Sequence, residues 1–237
     1  GAAKDRAGEL GKIAGKVYAG NFGTDLGQVG EAVKRVQQDI GDLGAGAAGG
    51  IEGLTQKTLT LSQAFGTDLG GTTAAVGQLL RTGLAANADE AFDILTKGFQ
   101  GGADKAGDLL DTFTEYGTQF RKFGLDGATA TGLLSQGLQA GARDADTVAD
   151  AIKEFAIRGI DGSKSTAEGF KALGLDAKKM AADIAAGGPK SAAALDLTLD
   201  RLRGIKDPAA RSAAAVQLFG TKAEDLGDAL YALDPSE

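Results

Sequence analysis

The sequence predicts an all-α fold, a helical repeat or bundle of short amphipathic helices with glycine-capped turns and a coiled-coil-like helix near the N-terminus. Three observations predict it. A short block returns four times, as Leu79 to Leu84, Ile94 to Phe99, Leu133 to Leu138 and, in weaker form, Asp183 to Gly188, each reading as a last helical turn followed by a glycine. Apolar residues recur at helical spacing from about Leu54 to Leu233. No run of alternating β-branched residues interrupts them.

Taken in order, Leu10, Ile13, Val17 and Tyr18 form the apolar side of a first helix, broken near Gly20, Gly23 and Gly27. Leu26, Val29, Val33, Val36, Ile40 and Leu43 follow at spacings of 3, 4, 3, 4 and 3, the period of a coiled-coil seam, and are the candidates for self-association. The alternative is that these helices pack on the rest of the chain, because isolated helices of this length are marginal in water and need a partner surface. Residues 1–43 are thus expected to form N-terminal helices, 44–53 a Gly/Ala linker and 54–237 a multi-helix domain. Within that domain the turns Phe65-Gly66-Thr67-Asp68, Phe123-Gly124-Leu125-Asp126, Leu173-Gly174-Leu175-Asp176 and Phe219-Gly220-Thr221 pair a helix-ending glycine with a Thr or Asp able to cap the next helix. Gly83, Gly98 and Gly137 are expected in the left-handed conformation that closes a helix, and Pro208 in a helical first turn. Residues 94–116 laid over 133–155 keep apolar, Gly, Asp and aromatic positions in register, the mark of a repeated helix-turn-helix unit.

Composition removes most catalytic chemistry. With no His and no Cys, the chain lacks imidazole acid-base groups, thiolate nucleophiles, disulfides and the usual zinc ligands, so no catalytic, metal or cofactor-binding residues are expected and no cofactor. Aromatics are 5% of residues, and a core of Ala, Leu, Val and Ile buries less area per contact than one rich in rings. The net charge of −7 and three basic pairs at most argue against DNA or an anionic membrane as a partner. No signal peptide and no uninterrupted apolar run of membrane-spanning length is present. The chain opens at Gly1 rather than Met, as a piece of a longer protein would.

Three motifs match functional patterns only by letters. Gly44-x-Gly46-x-x-Gly49 has the spacing of a dinucleotide loop but follows a helical stretch, where that loop needs a buried strand. The loop from Gly159 to Thr166 has two residues rather than four between its glycines and reads as the cap of a helix starting near Thr166. Asp104, Asp108, Asp111 and Glu115 are spaced to share one solvated helix face, and Asp144-x-Asp146 lacks the Gly and the distant Glu of a calcium loop.

The stretches from Leu59 to Gly127, Leu138 to Arg158, Phe170 to Pro189 and Val216 to Pro235, with the phrases Thr82-Gly83-Leu84-Ala85, Ala88-Asp89-Glu90-Ala91-Phe92-Asp93, Leu138-Gln139-Ala140-Gly141-Ala142-Arg143 and Leu218-Phe219-Gly220-Thr221, resemble the helical region of tape measure proteins of long-tailed bacteriophages. The resemblance implies a structural virion component in the tail tube lumen or tail tip, made in the bacterial cytoplasm. Such a protein sets tail length during viral tail assembly and leaves ahead of the genome at ejection. It further implies tail tube protein, tail tip or distal tail proteins and tail assembly chaperones as partners, a homo-oligomer with three copies preferred, and host-membrane contact only after ejection. The alternative is a non-phage helical repeat module for protein-protein interaction. Repeated caps exclude one continuous helix, which at about 1.5 Å per residue would extend to roughly 350 Å.

Overall fold

The computed structural model describes residues 2–237, and among them every regular element is helical. The chain divides between Thr96 and Lys97 into two compact units, and the division falls within a helix.

In the first unit, α1 (Ala2–Ala19) is followed by α2 (Leu26–Arg35), which runs into a π-helical turn over Val36–Ile40 and a 3₁₀ turn over Gly41–Gly44. Asp25 starts α2 by accepting from the Gln28 N–H, and the π turn closes where the Gly41 N–H reaches the Val36 carbonyl five residues back. α3 (Gly50–Phe65), α4 (Leu69–Thr82) and α5 (Ala88–Gln100) complete the series. Ala14 and Val17 of α1, Val29, Ala32 and Val33 of α2 and Leu59 of α3 form a buried cluster. Leu10, Ile13, Phe22, Ile51 and Leu69 pack around it. The Gly/Ala stretch at 44–53, expected as a linker, lies inside this unit and runs from the 3₁₀ turn into the first turn of α3. The π turn is held from α4: the Thr73 hydroxyl donates to the Asp39 carboxylate at 2.5 Å and the Arg81 guanidinium to the Asp39 carbonyl at 2.8 Å.

The second unit holds α6 (Leu109–Phe123), α7 (Gly127–Gln139), α8 (Ala145–Arg158), α9 (Lys164–Ala172), α10 (Ala177–Ala186), α11 (Gly188–Gly204), α12 (Pro208–Phe219) and α13 (Thr221–Leu226). Its helix starts follow the sequence. Asp126, Asp144, Asp176 and Asp207 cap α7, α8, α10 and α12, each accepting a first-turn N–H, a contribution of about 1 kcal/mol apiece. Ser163 caps α9, so the Ser/Thr-rich loop from Gly159 does serve a helix start, two residues earlier than expected.

Two of the repeat's glycines do a different job from the one expected. Gly83, at φ 73°, takes the left-handed cap of α4, and Gly187 also has positive φ at the end of α10. Gly98 and Gly137 instead lie inside α5 and α7. The left-handed caps come four residues later, at Gly102 and Gly141, where Ala103 and Ala142 donate back to the carbonyls of Gly98 and Gly137 at 2.8 Å each, closing the same turn twice. A Cβ on Gly98 would sit 2.8 Å from Leu109 of α6, and one on Gly137 would sit 2.5 Å from Val148 of α8. Leu109 and Val148 occupy equivalent places in the aligned repeat, so each glycine exists to let the next helix settle against its own.

The core of this unit centres on Phe155, which is fully buried and has ring centroids of Phe219, Phe123 and Phe170 at 5.0, 6.0 and 6.4 Å. The C-terminal residues are clasped onto it. The Gln136 amide both donates to the Asp234 carbonyl (3.2 Å) and accepts from the Asp234 N–H (2.8 Å), while Arg203 donates to the carbonyls of Leu233 (2.6 Å) and Tyr231 (3.3 Å).

Candidate functional site

Of the six seam residues, Val29, Val33, Val36 and Ile40 are buried within the first unit, whereas Leu26 and Leu43 are 53% and 44% exposed. The stripe is interrupted as an α-helix at Val36, where the π turn begins, and the heptad spacing serves packing against α1, α3 and α4 within the chain. At the dinucleotide-like spacing, Gly46 and Gly49 have φ of 87° and 78° in turns leading into α3, and no strand precedes them.

The four acids expected on one helix face separate. α6 begins only at Leu109, so Asp111 and Glu115 lie exposed on it while Asp104 and Asp108 belong to the preceding turns. Asp104 accepts from the Leu109 N–H at 3.0 Å, and Asp108 accepts from the Asp146 N–H at 3.1 Å. Partial burial raises the Asp104 carboxyl above its usual value, with the neighbouring Asp108 adding to it. Alignment by helix period missed this because the first turn of α6 is unwound.

Between α6 and α8 runs a polar ladder with a 34-residue step. The Thr112 hydroxyl donates to Asp146 and the Tyr116 hydroxyl to Asp150, both at 2.5 Å. Lys222 of α13 reaches the other Asp150 oxygen at 2.9 Å. Burial raises the Tyr116 hydroxyl well above its ordinary range, reinforced by the bond to Asp150. Burial also pushes the Asp150 carboxyl up, but the hydrogen bonds from Tyr116 and Lys222 and the lysine's charge outweigh it, and the carboxyl ends below its usual value. A depressed carboxyl stabilises the fold above its unfolded value and loses that contribution as pH falls through the folded one. Asp150→Asn is therefore expected to cost about 1 kcal/mol at pH 7, discounted for partial exposure, with the gap to the parent closing below about pH 4. Urea unfolding at pH 7 and pH 3 checks it, and a gap of the same size at both would show that charge contributes nothing. The ladder joins α6, α8 and α13. Among the described residues no group of three or more acids could hold a metal ion, and no helix is long and apolar enough to cross a membrane.

A shallow cleft of about 150 Å³ lies between α6, α8 and α10. Ile157, Ile160, Ile184, Ala156 and Phe123 form its apolar lining, with Lys122 and Lys153 at its edge. Ile157, in the last turn of α8, and Ile160, just beyond its end, are 53% and 51% exposed, and the buried Ile184 lines the same cleft.

The described residues are thus an all-helical assembly in which the Thr112, Tyr116 and Lys222 bonds and the C-terminal clasp join helices to one another. The chain belongs to the phage-related minor tail protein family, whose model matches residues 5–220. It is 52% identical over 181 residues to the probable tape measure protein of Streptomyces phage phiC31, a match covering 76% of this chain. The chain spans about a quarter (25%) of that relative's length. No solved structure matches it.

Proposed function

We propose that this chain is a helical portion of a tape measure protein, a non-enzymatic component that occupies the tail lumen or tip, takes part in setting tail length during assembly and is released at genome ejection. The observation that carries the reading is the 52% identity over 181 residues to the phiC31 protein. Its partners in this reading are the tail tube protein, tail tip or distal tail proteins and assembly chaperones. Self-association, with three copies preferred, falls to surfaces left open by the fold, among them Leu26 and Leu43. The acidic balance of the chain supports storage in a channel without binding to the genome that follows it.

The test is an in-frame deletion of the codons for residues 97–237 in a phage whose tail carries this sequence, with tail length measured by electron microscopy. Removing 141 residues (237 − 97 + 1) is expected to shorten tails by up to about 210 Å, the length of that many residues at about 1.5 Å each. Assembled tails of unchanged length would sink the length-setting part of the proposal.

A further inference from the structure

We propose that the cleft between α6, α8 and α10 is a docking groove for an amphipathic helix of another protein, one whose apolar stripe covers Ile157 and Ile160 and whose flanking carboxylates meet Lys122 and Lys153. Two β-branched side chains more than half exposed, lining one cleft with a third isoleucine, make an apolar patch rather than isolated surface residues. Single exposed apolar groups are ordinary; a patch at the edge of a cleft is the feature partners cover. The walls are helices, and among the described residues there is no strand edge on which an extended peptide could add, so the fitting mode is a helix anchored at i, i+3 or i+4 and i+7.

Charge selects the partner. Among the described residues neither Lys122 nor Lys153 makes an ion pair, although most charged side chains nearby are engaged: Lys179 with Asp183, Arg158 with Glu154, Lys222 with Asp150. Lys153 lies 5.9 Å from the centre of the Tyr116 ring, and its charge also acts on Asp150. Two cations without an ion pair therefore line an apolar cleft on a chain whose net charge is −7. Two copies of this chain meeting face to face through the cleft would bring the same lysines together, which disfavours a symmetric pair and favours an acidic partner. Nucleic acid fits less well: the lining offers isoleucines where bases would need exposed aromatic planes, since Phe123 is buried.

The probe is a fluorescent eighteen-residue synthetic helix, with Leu at i, i+3, i+4 and i+7 and Glu on both flanks, titrated into the full chain beside an otherwise identical peptide carrying Lys for Glu. The Glu peptide is expected to bind at least about tenfold tighter than the Lys peptide, with affinity falling several-fold between about 50 and 300 mM salt. Ile157→Glu is expected to weaken it by about tenfold or more, and Lys122→Glu with Lys153→Glu to invert the preference between peptides. All these positions are exposed, and an unchanged circular dichroism melt verifies that each variant folds. The proposal is overturned if the Glu peptide does not bind, if both peptides bind alike, or if the double reversal leaves the preference unchanged. It is equally overturned if light scattering shows self-association abolished by Ile157→Glu, which would make the occupant a second copy, or if a single-stranded DNA oligomer binds through Lys122 and Lys153 more tightly than the Glu peptide. None of these outcomes depends on tail length, so this proposal and the tail assignment fail separately.

Discussion

Gly124→Ala is expected to lower the melting temperature of the second unit by about 10 °C. Gly124 follows α6 at φ 96°, left-handed backbone that a Cβ disfavours by about 1–2 kcal/mol. The added methyl would also fall on the carbonyl of Gly188, which starts α11, and backbone cannot rotate aside as a flexible side chain can. The turn cannot shift freely, because the N–H groups of Gly124 and Leu125 return to the carbonyls of Arg121 and Phe120, and Phe123 and Leu125 on either side are buried at 4% and 1% exposure. Strain and overpacking together come to about 3 kcal/mol, and each kcal/mol moves the midpoint of a domain this size by about 3–4 °C. Calorimetry of the parent and variant measures it. A shift under about 2 °C would mean that the start of α11 yields to the methyl group.

The second large effect is at Gly137, and its sign depends on which glycine of α7 is changed. Gly132 has nothing within 4 Å of a built Cβ, so Gly132→Ala should gain most of the helix-propensity difference, about 1 kcal/mol, and raise the melting temperature by roughly 3 °C. Gly137, five residues on in the same helix, would place its Cβ 2.5 Å from Val148 and 3.4 Å from Leu233, both buried. Val148 is β-branched and has no spare rotamer to adopt. Gly137→Val should therefore cost about 3 kcal/mol, roughly 10 °C, despite valine's better helix propensity than glycine's. Asp111→Asn, on the exposed side of α6, should change the midpoint by less than about 2 °C. Thermal melts of the three variants decide it, and negligible shifts at both glycines would remove the close helix contact from the account.

The contrast between those two glycines shows where sequence reasoning stops. Helix content and the Asp68, Asp126 and Asp176 caps were legible because each rests on residues within one turn of one another. A glycine followed by an apolar residue looks the same whether it ends a helix or admits a neighbour. At Gly98 and Gly137 the deciding residues are Leu109 and Val148, eleven positions away and brought back by the turn. The self-alignment of the repeat held that information, since it put those two contacts in the same register. The boundary at Thr96 and Lys97 left no local signal, because it falls inside α5. Ile157 and Ile160 were hidden for the opposite reason: an apolar pair three residues apart reads as core, and only the packed structure shows that the described residues leave both more than half exposed. The Leu26 to Leu43 spacing was legible as a stripe, but its period does not say which surface covers it, and within the fold four of its six members are covered by the chain itself.

The clasp formed by Gln136, Arg203 and residues 231–234 acquires a mechanical meaning when the chain is pulled rather than heated. Tension entering from the C-terminal side meets the paired bonds between Gln136 and Asp234 before any helix, and those bonds tie the last turn to α7, 98 residues earlier in the chain. They must rupture together, as a latch does, before load can reach α12 and α13. Once it opens, α13 and α12 are still held by contacts to α8 and α9, among them Lys222 with Asp150 and Phe219 against Phe155. A protein drawn through a narrow passage would then meet successive thresholds, the clasp first and the contacts to α8 and α9 after it, taken from the C-terminal side inward.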